Sequence, residues 1–393
     1  MAQSTSNYEF RFYTPAGHYL FSIPHDSIYS ANFWIRERDV GTLTLDLPLN
    51  IGVEIENMLE YDSVIEVYRD YRGSKNLVLD KRWIIGLWRS KIDEGGVRNF
   101  RIRALDCNTW ITRRVVYYDP DTPQTKVVNT PTDDAIKKIA RENFGNLAQP
   151  YRDWSKYITI EPNTGLAKKV SLSGFSRINA LTVMNNLCDL AYAENDEYVT
   201  FDMRWDAGIG KYIFRTYLGQ MGANRGVNGN STFYLTHTDD TNPLSYGGLS
   251  YASVENNGIN RRTAVYCGGA NSDVEEEGRV IAEVFDHDLI NASPFGLWED
   301  WEDARNSGNS EEGIRKVAME RLEKWSPTVA VNGHINAATI QGFGTDFNVG
   351  DIVAFKFRDV VRDVHIDSVA FDISNNGEEK ITIDTRNMEE SYY

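Results

Sequence analysis

Residues 342–383 read GFGTDFNVGDIVAFKFRDVVRDVHIDSVAFDISNNGEEKITI, a segment built from short alternating apolar runs. A loop holding Asp346, Val349, Gly350 and Asp351 opens three runs in which apolar residues recur at every second position. Val353, Phe355 and Phe357 share one face of the first run, Val369 and Phe371 one face of the second, and Ile381 and Ile383 one face of the third. Successive side chains of an extended chain point to opposite faces, so a repeat of two is the signature of a half-buried strand. Asn375, Asn376 and Gly377 tolerate positive φ, which predicts an antiparallel hairpin turned at Asn376-Gly377, with Ile381 and Ile383 facing a core. The stretch carries no nucleophile, base or metal cluster and reads as architecture.

The same alternation opens the chain. Tyr8, Phe10 and Phe12 predict a first strand, and Pro15, Ala16 and Gly17 a turn. Further strands are expected at residues 33–36, 42–47, 64–68, 83–88 and 100–104, separated by Gly, Pro, Asp and Asn, with residues 57–60 and 71–75 as projecting loops. Asp119, Pro120, Asp121, Thr122 and Pro123 look like a boundary. The apolar period then changes to that of a helix at residues 132–144, where Thr132 is placed to cap, Asp133 and Asp134 suit the positive end of the dipole, and Ile136, Ile139, Ala140 and Phe144 line one face. A second helix is expected at 176–191, with Leu181, Met184, Leu187, Cys188 and Ala191 on its apolar face, and a third at 310–325, with Ile314, Val317, Ala318, Leu322 and Trp325. Strands resume between these helices, at 198–218 with a hairpin over 206–210, and at 249–254, 262–267 and 279–285. The fold class is therefore α+β, mostly antiparallel β.

Composition narrows the function. The chain has 393 residues and a formal net charge of -16, which disfavours a grip on duplex DNA, since phosphate binding demands a Lys and Arg surface. No apolar run approaches the roughly 20 residues of a membrane-spanning helix, so a soluble chain is expected. Residues 1–7 are polar and lack the layout of a signal peptide. Cys107, Cys188 and Cys267 are odd in number and far apart, which fits assembly in a reducing cytoplasm better than a disulfide framework.

Candidate chemistry is sparse. Glu299, Asp300, Glu302 and Asp303 beside Trp298 and Trp301 offer paired carboxylates and stacking surfaces, the ingredients of a carbohydrate-binding or glycoside-hydrolysing protein. Adjacent acids in one run do not define the opposing sides of a sugar, so a solvated loop is the competing reading. Asp286, His287 and Asp288, and the run Glu275, Glu276 and Glu277, match no metal-loop spacing and read as surface turns. Gly208 with Gly210, and Gly268 with Gly269, lie between strands and read as turn glycines rather than a phosphate loop. Cys188 falls on a helical apolar face and reads as core. No catalytic, cofactor-binding or metal residue is assigned, and an enzyme is not expected.

The Phe and Gly-Asp opening of residues 342–383, its polar turn and its closing hairpin follow GTLTLDLP at 41–48, IIGLW at 84–88, RALDCNTWITRRVV at 103–116 and TYLGQMGANRG at 216–226. In this order the motifs resemble the tail hub, or baseplate hub, proteins of long-tailed bacteriophages (siphoviruses), including the N-terminal hub region of tail-associated proteins. The resemblance implies two tail-tube-like β-barrel domains with helical and β insertions: a first barrel over 1–117, a helix-containing insertion over 118–197, a second barrel over 198–292 plus 327–393, and an acidic, Trp-rich loop with a linker helix over 293–326. It also implies a structural virion protein of the tail tip, assembled in the host cytoplasm, in which a homotrimer presents six barrels and matches a threefold tip to a sixfold tube. The implied partners are a distal tail protein or tail tube ring, the tape measure protein, and tip, fibre or receptor-binding proteins, with DNA passing through the channel without specific binding. Neither cofactor nor active site comes with the family, and any wall-degrading activity is expected in another protein.

Overall fold

The chain is organised around one large, mostly antiparallel sheet, described in a computed structural model for residues 7–71, 74–92, 98–117, 127–172, 175, 177–227, 229, 232–236, 249–269, 280–304, 311–325, 328–336, 342–344, 346–357 and 360–387. Its first strands are β1 (Asn7–Tyr13), β2 (Tyr19–Pro24), β3 (Ser30–Arg36), β4 (Thr42–Pro48), β5 (Val64–Tyr71), β6 (Ser74–Ile92) and β7 (Arg98–Asp106), with helix α1 (Leu49–Glu56) after β4 and α2 (Thr109–Thr112) after β7. A helical unit follows, made of β8 (Val127–Pro131), α3 (Thr132–Asn143), β9 (Ile158–Ile160), β10 (Lys169–Leu172), α4 (Ala180–Asn195), β11 (Val199–Asp206) and β12 (Lys211–Leu218). The remainder comprises β13 (Asn224–Arg225), β14 (Tyr234–Thr236), β15 (Leu249–Asn257), β16 (Ala264–Gly268), β17 (Ile281–Phe285), α5 (His287–Asn291), β18 (Glu299–Asp303), α6 (Glu311–Lys324), β19 (Thr328–Asn336), β20 (Ile352–Phe357), β21 (Val360–Ser374) and β22 (Glu379–Asn387).

The main path of the large sheet runs β15-β19-β22-β21-β3-β4-β7-β6-β5-β1-β2, with β20 beside β21 and the short β13 and β14 parallel to β20. Alternation explains its core. Phe10, Phe12, Phe33, Leu43, Leu45, Ile65, Val67, Phe100 and Ile102 of the N-terminal strands bury the same face as Val353, Phe355, Val369, Phe371, Ile381 and Ile383 of the C-terminal ones. The two sets meet where β3 pairs antiparallel with β21, placing Phe33 opposite Phe371. Their rings stack at 4.5 Å, with Trp83 edge-on to Phe33 at 5.6 Å and Phe343 edge-on to Phe371 at 4.9 Å.

Two tail-tube-like β-barrel domains are expected from the sequence; the pairing among the described residues follows one path with ends at β15 and β2, and traces no closed barrel. The β3–β21 ladder is the physical reason, because it joins strands from both ends of the chain into a single sheet. Residues 198–218 form the predicted hairpin, but β11 pairs with β12, and β12 with β9, in a separate three-stranded sheet. That sheet packs on α3 and α4 around Ile136, Ile139, Phe144, Met184, Leu187 and Phe201. β16, β17 and β18 form another three-stranded sheet, backed by Ile314 and Ala318 of α6.

The three long helices fall where the period changes; α3 begins at residue 132 as expected, and α4 begins later than expected. Thr132 does not cap α3: it is the first helical residue, and its hydroxyl donates to the Lys168 carbonyl at 3.1 Å. α4 starts at Ala180 because the Asn179 side chain accepts from the Leu181 amide at 3.0 Å. The loop expected over 293–326 contains a strand, β18, held by parallel pairing to β16. The loop expected at 71–75 is shorter, since β6 already begins at Ser74. The boundary at 119–123, the run 275–277, residue 176 and the Phe357 side chain lie outside the described residues. Gly377, at φ 78°, turns the last hairpin as expected, its amide donating to the Ser374 carbonyl at 3.1 Å.

Candidate functional site

The acids nominated from the sequence are separated by the pleat of β18. Asp300 and Glu302 face α6, where the Arg321 Nε lies 2.9 Å from the one and 3.2 Å from the other. Glu299, Trp301 and Asp303 point to the opposite side, and Glu299 accepts from the Tyr266 hydroxyl at 2.9 Å. The two sets therefore sit on opposite faces of one sheet, with Asp300 and Glu302 sharing one guanidinium. That arrangement does not place two carboxyls across a sugar.

Other nominated residues have structural roles. Asp286 caps α5, accepting from the Leu289 amide at 2.9 Å, so the turn expected at 286–288 is the start of a short helix. His287 stacks on Phe285. Gly208 sits in the β11–β12 turn and donates to Asp206, whereas Gly268 is a strand residue between Ile281 and Asp303 rather than a turn glycine. Cys188 lies in the helical core, and burial pushes both its thiol and that of Cys107 up to about 12, far from a reactive thiolate at neutral pH. A shallow pocket of about 310 Å³ beside α3 is lined by Arg141, Gly145, Asn146, Ser155, Ile158 and Thr159, but the Arg141 guanidinium is already engaged by Asn163 and by the Glu161 carbonyl.

Three side-chain clusters escaped the sequence reading, and each joins segments far apart in the chain. Arg69 of β5 makes a forked pair with Glu379 of β22, Nε to Oε2 at 2.8 Å and Nη2 to Oε1 at 2.5 Å, and also donates to the Phe343 carbonyl at 3.0 Å. The Tyr8 hydroxyl of β1 donates to the same carboxylate. Burial, then the Glu379 charge, raises the Tyr8 phenol well above its ordinary value. Lys81 of β6 binds Asp202 of β11 and the Met203 carbonyl, with Asp106 at 3.7 Å. Burial alone would lower the Lys81 ammonium, but Asp202, Cys107 and Asp106 hold it above its usual range, while burial lifts Asp106 to about 6 against the pull of Lys81. The third group, Glu37, His365 and Asp367, is the metal-ligand type of cluster found among the described residues. Its carboxylates lie at different nitrogens of the ring, Asp367 2.8 Å from Nδ1 and Glu37 3.4 Å from Nε2. The ring thus bridges β21 to the end of β3, where the Glu37 amide also donates to the Asp367 carbonyl at 2.9 Å. All three groups act as fasteners between segments.

No protein-family model and no curated protein matches the sequence. Solved structures do match, along nearly the whole chain. The tail protein from Neisseria meningitidis MC58 is 13% identical, with 97% of this chain and 96% of that chain covered at a TM-score of 0.55. The 43 kDa tail protein of prophage MuSo2 from Shewanella oneidensis is 11% identical, with 96% and 98% covered at a TM-score of 0.56. The chain shares the fold of these two tail proteins. At such identities the likeness is one of backbone arrangement, and it transfers no individual side chain. The tail-protein fold spans both the large sheet and the helical unit, so the agreement covers the order of elements as well as one module.

Proposed function

We propose that this chain is a structural virion protein, the hub at the distal end of a phage tail, where it joins the sixfold tail tube or distal ring to the threefold tip. The observation that carries the reading is the likeness in fold to tail proteins over at least 96% of the chain. Three copies, each with two tube-like modules, offer six near-equivalent contacts, and cyclic closure leaves no interface unfilled. One module is drawn from residues 1–117 and the other from 198–292 plus 327–393, less the β11–β12 hairpin, which packs with the helical insertion of 118–197, and 293–326 is a peripheral element. In this reading the β3–β21 ladder sets the two modules side by side in one shared sheet. The channel formed by three copies passes DNA and the tape measure protein, and an excess of acids, net charge -16, suits a wall that phosphate must slide past without sticking. Tip, fibre or receptor-binding proteins attach outside or below.

The test is copy number and position. Electron microscopy of intact tails carrying a tagged chain, with quantitative mass spectrometry of the particles, is expected to find three copies at the tip. One copy per particle, or a label elsewhere in the virion, would overturn the reading.

A further inference from the structure

Two exposed faces of this chain are opposite in charge and alike in apolar content. The first is the outer side of β6 and β7, where Leu87 lies opposite Arg103, Arg89 opposite Arg101, and Lys91 opposite Asn99. Arg101 is held by Asp46 of β4 at 2.6 and 2.8 Å. No ion pair reaches Arg89, Lys91 or Arg103 among the described residues, although all three are exposed, and Leu87 and Leu105 are 43% and 41% exposed beside them. Asp46 offsets the charge of Arg101 within the chain, whereas Arg89 directly across from it, with Lys91 and Arg103, gains no such partner among the described residues. The second face is the side of β16, β17 and β18 turned away from α6. There Tyr266 lies between Glu283 and Trp301, and Glu299 and Ile281 flank them. Trp301 is 46% exposed, Ile281 44%, and no cation pairs with Glu283 or Glu299 among the described residues.

We infer that these two faces meet between copies: the cationic β6–β7 face of one chain docks on the acidic, aromatic β16–β18 face of the next. This rests on the ring proposed above and assigns its contact. On a chain of net charge -16, the β6–β7 face gathers three exposed cations that have no ion pair among the described residues. Because the two faces differ, the contact is head-to-tail, the kind that closes into a ring or extends into a fibre, and not a twofold one. It also covers Arg89, Lys91 and Arg103, which would otherwise hold DNA inside a channel.

The test compares the full-length chain with R89E/R103E, with E283R/E299R, and with all four substitutions together, by sedimentation velocity at two salt concentrations. The substituted sites are exposed, and matched melting curves confirm that the variants fold. Each two-residue variant is expected to raise the concentration for half-assembly by about tenfold or more, and the four-residue charge swap to restore it. A parent trimer with both two-residue variants equally trimeric, or a swap without rescue, would overturn this contact and leave the ring reading standing. A parent that stays monomeric at every concentration would overturn the ring and this contact together. Binding of a short DNA duplex that R89E/R103E abolishes, with assembly unchanged, would overturn it in favour of a nucleic-acid face.

Discussion

Arg69 shows what a single residue contributes here. It shares strand parity with Ile65 and Val67, so its side chain enters the core, and it is stable there only because Glu379 and the Phe343 carbonyl receive its donors. Removing one partner of a buried pair strands the other charge. Arg69→Met is therefore expected to lower stability by about 3–5 kcal/mol in denaturant unfolding, whereas the double variant Arg69→Met with Glu379→Leu recovers most of that loss. The inward parity of Tyr8, Arg69 and Glu379 is written in the sequence, since each alternates in step with apolar neighbours. What is not written is that they meet, because Tyr8 and Glu379 lie near opposite ends of the chain. Ile383 tests the register that was legible. It is fully buried between Gly333 and Val369, so Ile383→Asp places an unpaired carboxylate in the core and is expected to cost several kcal/mol, seen as a lower melting temperature or failure to fold. A variant melting like the parent would show the register to be wrong.

At the scale of elements, strands with clean alternation and helices with a clear apolar face were legible, and short elements were not. α1 was missed because LNIGVEIE contains a glycine and several β-branched residues, which carry little helix propensity. Packing makes this helix: Gly52 lies against Phe100 of β7 so closely that an added Cβ would sit 2.2 Å from the ring. Gly52→Val is expected to destabilise by about 1–3 kcal/mol or more by overpacking, measured as a lower denaturation midpoint, while Val53→Ala on the exposed side changes little. β18 was read as a loop for the converse reason, since its residues are charged on both faces and its pairing partner β16 is not a sequence neighbour. Where α6 meets α4, Glu320 is pushed up to about 7, first by burial and then by Asp189 and Glu194, against Lys316. Asp189 is itself paired with Arg38, and Lys316 with Glu194. Because the folded value lies above the unfolded one, the native state keeps a proton that the unfolded chain releases. The resulting stability is present below the usual glutamate range and is lost as pH rises through about 7. Glu320→Gln is expected to flatten melting temperature between pH 5 and 8 and to raise it at pH 8, on the order of 2 kcal/mol after solvent screening is discounted. An unchanged pH profile would show that Glu320 does not govern this contact.

For the molecule as a whole, the sequence made the strand-rich class and the helical insertion visible, and far-ultraviolet circular dichroism is expected to be dominated by strand; a helix-dominated spectrum would contradict the fold. The joining of the two ends into one sheet was not visible, because alternation reports which face a residue buries and not which strand lies beside it. The run at 33–36 and the run through Phe371 each announce a strand, yet nothing local says that Phe33 stacks on Phe371. The same limit applied to the candidate site, where the acids of 299–303 were conspicuous and the buried fasteners were not. The β3–β21 ladder also governs how the chain is made. On a ribosome adding about 5–20 residues per second, β3 emerges roughly 20–70 s before β21. Through that interval one edge of β3 has no strand to pair with, and Phe33 lacks the ring that covers it in the finished protein. An uncovered edge bearing aromatic side chains invites pairing with other nascent chains, so yield during synthesis should respond to translation speed and to chaperones more steeply than the stability of the completed fold would suggest.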